Sequence, residues 1–85
     1  MPQIEEISAR VHEWTIGHFP LAKARNIIPS DSLLESGIVD SLGTLDIVTF
    51  LEQEYGFVVE DDEMVADHFE SISSISKFVE SKFAG

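Results

Sequence analysis

Cysteine is absent from the 85 residues, which excludes disulfides, thiolate nucleophiles and cysteine-ligated metals. Basic residues are scarce as well: five Lys and Arg stand against sixteen Asp and Glu, a formal net charge of −11. Nucleic acid and anionic membrane both reward Lys and Arg, so neither is expected as a partner. No apolar run approaches the roughly 20 residues that a membrane span needs. The opening M-P-Q-I-E-E places acids where a secretion signal has bases and then an apolar stretch, so the expected location is the cytoplasm. What remains, 44% hydrophobic and 25% charged, is globular composition. The length fits one domain over residues 1–85, expected to be a monomer, whose small core leaves little stability to spare.

The acids are unevenly placed. Up to Pro29, Glu5, Glu6 and Glu13 are balanced by Arg10, Lys23 and Arg25. Between Ser30 and Glu70 there are twelve acids and no base. A protein partner with a basic docking patch fits such a field, because complementary charge speeds and orients encounter. A merely solubilising surface fits it equally.

Periodicity predicts helices throughout. Ile4, Ile7, Val11 and Trp14 recur at spacings of three, four and three, one face of a helix closed by Gly17 and Pro20. A long connection is expected from about His18 to Asp40, with a short helical turn around Ser32 to Glu35 and a special backbone conformation at Gly37. Its apolar content (Leu21, Ile27, Ile28, Leu33, Leu34, Ile38, Val39) predicts a loop packed across the helices. A second long helix should begin at Asp40 or Ser41 and end near Tyr55, stopped by Gly56. A short helix from about Asp61 to His68 and a last one from about Ile72 to Lys82, capped by Ser71, complete the chain. G-F-V-V at 56–59 offers at most a brief extended stretch.

The second long helix has more apolar residues than one buried face requires. At about 100° per residue, Phe50, Ile47, Leu51, Tyr55 and Val48 share the arc that can face a core. Leu42 and Leu45 fall on the opposite side beside Ser41, interleaved with Asp46, Thr49 and Glu52. Two leucines ringed by polar and acidic groups make a reasonable docking surface, unless the long loop covers them. Ser41 and Asp40 stand where a helix cap is usual.

The segment L-L-E-S-G-I-V-D-S-L-G-T-L-D-I-V-T-F-L-E-Q-E-Y-G resembles the central region of the acyl and aminoacyl carrier proteins of fatty-acid, polyketide and peptide assembly. The resemblance extends to the order of elements along most of the chain. It implies an acyl-carrier-protein-like four-helix bundle with a long first loop and a short third helix. It further implies that Ser41, the serine of D-S-L, receives 4′-phosphopantetheine from coenzyme A. Implied partners are a phosphopantetheinyl transferase, an adenylating, ligase or acyltransferase loading enzyme, and a condensing or transfer enzyme. Asp40, Leu42, Leu45, Asp46, Thr49 and Glu52 are the residues expected to meet them. Fatty-acid carriers commonly have an acid after D-S-L, whereas Gly43 stands here. That brings the run closer to discrete carriers that hold an amino acid, such as the D-alanyl carrier proteins of teichoic acid modification. A stand-alone, non-catalytic carrier is the expectation.

Other chemistry is poorly supported. A serine hydrolase needs a base and an oxyanion hole, and V-D-S-L-G lacks the leading glycine of a G-x-S-x-G elbow. His12, His18 and His68 are scattered, without zinc-ligand spacing. E-D-D-E at 60–63 lacks the ligand alternation and central glycine of an EF-hand loop, so no metal site is expected. The rival of a different class is an unmodified acidic helical interaction module.

Overall fold

The computed structural model describes residues 2–84, and five helices account for most of them. They are α1 (Ile4–His18), α2 (Pro20–Arg25), α3 (Ser41–Tyr55), α4 (Ala66–Phe69) and α5 (Ile72–Ala84). A single 3-10 turn, Asp61–Glu63, precedes α4. No strand occurs among the described residues, G-F-V-V included. The all-helical expectation holds.

Two details differ from the sequence reading. The stretch expected as a long loop contains α2, P-L-A-K-A-R. Pro20 sits at its first turn, where a missing N–H costs nothing, and Leu, Ala, Lys and Arg are strong helix formers. Asn26, at φ 51°, ends it in the left-handed region that a helix stop uses. The chain leaves α1 at His18 and enters α2 at Pro20, so Pro20 opens a helix rather than merely closing one. The second difference lies at 61–68, where one expected helix is divided into the 3-10 turn and α4. Glu60 and Glu63 there cap each other's backbone N–H groups. Around Ser32 to Glu35 the chain makes turns without completing a helix: the Ser32 hydroxyl accepts from Glu35 N at 3.0 Å.

One apolar core joins all five helices and the loop. Ile7 and Val11 of α1 meet Ile72, Ile75, Phe78 and Val79 of α5, with Ile47, Phe50 and Leu51 of α3 and Phe69 of α4. Of the apolar residues expected to pack this stretch across the helices, Ile27, Leu33, Ile38 and Val39 are buried and Leu34 is half-buried, whereas Leu21 and Ile28 are exposed. The loop is also tied by its backbone. Leu33 N donates to Glu70 O at 2.7 Å, and Ser73 N donates to Pro29 O at 3.0 Å. Gly37, at φ 79°, has the positive φ that favours glycine. Gly56 (φ 76°) closes α3 by donating its N–H to Glu52 O, and Ser71 caps α5 by accepting from Ser74 N.

Candidate functional site

The loop delivers the chain to α3 with Val39 buried and Asp40 outside, and the next residue is Ser41. Asp40 is the N-cap. Its extended backbone and its Oδ1, 2.7 Å from Gly43 N, satisfy a donor that the helix start leaves orphaned. Ser41 is the first helical residue and is exposed, and no hydrogen bond among the described residues engages its hydroxyl. Beside it lies an open hollow of about 450 Å³. Leu34, Val39 and Phe69 line its apolar part, Thr44 contributes from α3, and Met64, Val65 and Ala66 line the side toward α4.

Leu42 is 72% exposed and Leu45 52% exposed, so the loop leaves both uncovered. Val65, across the hollow, is also exposed. Single exposed leucines are unremarkable, but here two stand one helical turn apart next to an exposed hydroxyl. The acids of this face are not equally free. Asp46 Oδ2 lies 3.1 Å from His18 Nε2 at the end of α1, with the aspartate side chain still half exposed. Glu52 is only half exposed, and its Oε2 accepts from Val59 N at 2.9 Å, holding the segment after Gly56 against α3. Of the residues expected to meet a partner, Glu52 thus has the least carboxylate to offer. Thr49 is exposed, and its hydroxyl donates to Leu45 O.

Gly43 has a role that the sequence reading missed. A Cβ at this position would stand 2.8 Å from Phe19 Cε1 and 3.0 Å from Val39 Cγ1. The absent side chain lets the first turn of α3 press against Phe19, between α1 and α2. The signal available in the sequence was a glycine inside an otherwise uninterrupted helical pattern, a costly choice unless close packing requires it.

Several charged groups elsewhere are paired with one another. Arg10 bonds Glu54 and Glu13, and the Glu54 hydrogen bond is the main cause of its pKa rising above the ordinary value. Lys82 Nζ lies 2.7 Å from Glu63 Oε1. That bond first, and the Glu60 N–H second, hold the Glu63 carboxyl below its usual range. The Tyr55 phenol is pushed up, chiefly by burial. His12 and His68 hydrogen-bond the carbonyls of Ile27 and Glu63, and no hydrogen bond among the described residues links either of them to Ser41. Among the described residues no group of three or more His, Asp or Glu side chains is placed to hold a metal. No described helix is long and apolar enough to cross a membrane. No known protein-family profile matches the chain, and no curated protein is significantly similar to it.

Proposed function

We propose that the chain is a carrier protein, holding an acyl or aminoacyl group on a 4′-phosphopantetheine arm attached to Ser41. The observation that carries the reading is the placement of one uncommitted, exposed hydroxyl at the head of α3, beside an open hollow and two exposed leucines. A transferase needs access to that oxygen, and nothing in the fold obstructs it. The arm would supply the thiol that this chain lacks, so that cargo can be held as a thioester and moved between active sites.

The residues fit such a group in a specific way. A phosphodiester at Ser41 would lie at the positive end of a 15-residue helix. Asp40 already occupies the Gly43 N–H, so the donors left nearest the phosphate are those of Ser41 and Leu42. Asp40 therefore caps the helix with Oδ1 and has Oδ2 free to meet a partner's cation. Leu42 and Leu45 supply the apolar contact, and Asp46 and Thr49 its polar rim. The partners on this reading are a phosphopantetheinyl transferase, a loading enzyme (adenylating enzyme, ligase or acyltransferase) and a condensing or transfer enzyme.

Incubation with coenzyme A, magnesium and a broad-specificity phosphopantetheinyl transferase tests the reading by intact mass. One pantetheine adduct is expected on the wild type and none on Ser41→Ala. Absence of any adduct on folded wild-type protein would leave the interaction module, which explains Leu42 and Leu45 without chemistry at Ser41.

A further inference from the structure

His18 ends α1 on the outside of the molecule, yet it is held from two directions. Its ring stacks on Trp14, with centroids 4.5 Å apart and planes 13° from parallel. Trp14 in turn stacks on Phe50 of α3 at 4.5 Å and 11°. Beyond Phe50, the Arg10 guanidinium stands 5.2 Å from the ring centroid, secured by Glu54 and Glu13. A row of stacked groups thus bridges α1 and α3. Its Arg10 end is permanently charged, whereas a histidine gains or loses its charge between about pH 5 and 8.

The second hold on His18 is Asp46, whose Oδ2 lies 3.1 Å from Nε2. The small hollow around the pair is otherwise lined by Trp14, Thr49, Phe50 and Gln53, none of them charged, and Asp46 is the ion-pair partner that His18 has among the described residues. Phe19, also against the ring, is apolar. No base occurs between Ser30 and Glu70, so α3 has no means of its own to cancel the Asp46 charge. The cancelling charge comes from α1, when His18 carries a proton.

We propose that His18 is a pH-dependent mask on Asp46. Protonated, it neutralises the carboxylate that the α3 face presents to a basic partner; neutral, it leaves that charge available. An added proton also places a positive charge over the Trp14 ring, which favours the stacked arrangement. Association with a basic partner therefore slows as the medium turns acidic, because steering depends on the charge displayed. The docking part of this inference rests on the carrier reading; the His18–Asp46–Trp14 coupling does not.

Trp14 is the single tryptophan, so its emission reports the stack directly. Between pH 8 and pH 5.5 the wild type should show a sigmoidal loss of emission, since a stacked imidazolium quenches indole. His18→Gln should abolish the transition and Asp46→Asn should reduce its amplitude. In parallel, the transferase reaction is run on wild type and His18→Gln at pH 8 and pH 6, the ratio of rates cancelling the enzyme's own pH dependence. The wild-type to His18→Gln ratio should fall about two- to fivefold from pH 8 to pH 6, the fold-change expected of one exposed ion pair. His18→Lys, permanently charged, should be slower than His18→Gln at both values. An emission transition that persists in His18→Gln, an undiminished amplitude in Asp46→Asn, or a ratio equal at the two pH values would each overturn the mask. Failure of every variant to take an adduct would instead overturn the carrier reading, and the emission series would then decide the mask alone.

Discussion

Helices α3 and α5 are both amphipathic and similar in length, yet they use their apolar residues differently. On α5 the inward residues Ile72, Ile75, Phe78 and Val79 are all buried, and only Phe83, in the last turn, is a large apolar side chain left exposed. On α3, Ile47, Phe50 and Leu51 are buried, while Leu42 and Leu45 point into solvent. One helix is apolar to the extent that the core demands and the other exceeds it, at the end that bears Ser41. Surplus apolar surface is unfavourable in water unless something covers it, and here the chain's own loop does not.

The largest effect that would sharpen this contrast is in the core. Ile75→Ala removes a fully buried side chain from α5 and should cost about 2–5 kcal/mol, enough to leave so small a domain partly unfolded. Urea denaturation followed by circular dichroism measures it. Next comes Gly43→Ala, at the buried side of α3. Alanine gains about 1 kcal/mol in helix propensity, but overpacking costs about 1–3 kcal/mol. With Phe19 at 2.8 Å the clash should win, giving a net loss of up to about 2 kcal/mol in the same assay. A more stable Gly43→Ala would mean that Phe19 yields easily.

The exposed side of α3 should respond in the opposite manner. Leu42→Glu should shift stability by no more than about 0.5 kcal/mol, while slowing modification of Ser41 by about tenfold. A collapsed circular dichroism spectrum would place Leu42 in the core and dissolve the comparison. The smallest effect concerns the outer end of α5, where Lys82 pairs with Glu63. Glu63 is held below its usual range, so the stabilisation is full above the ordinary glutamate value of about 4.3 and is lost as pH falls through the lowered one. The gap in melting temperature between wild type and Lys82→Met should therefore be constant near pH 6–7 and narrow below about pH 4. A gap independent of pH would assign the effect of Lys82 to its contacts with Phe57 and Phe78 instead.

Much of this was legible in the residues because local rules agreed with one another. Ile4, Ile7, Val11 and Trp14 announced α1, Gly56 stopped α3, and Ser71 capped α5. The start of α3 was legible too, although only geometry assigns the cap to Asp40 and leaves the hydroxyl of Ser41 unengaged. Helix α2 was obscured because Pro20 can close one helix or open another, and a sequence shows only that a break occurs. Contacts between distant segments were beyond periodicity. The Phe19 approach to Gly43 and the His18–Asp46 pair depend on how α1, α2 and α3 come together.

The hydroxyl of Ser41 carries the proposed role, and peptide-level mass spectrometry interrogates it most directly. After transferase treatment, digestion and fragmentation, the pantetheine should map to Ser41 alone, with the other nine serines unmodified. An adduct on a different serine, or an unmodified Ser41 in protein that remains helical, would contradict the assignment of α3 as the carrier helix.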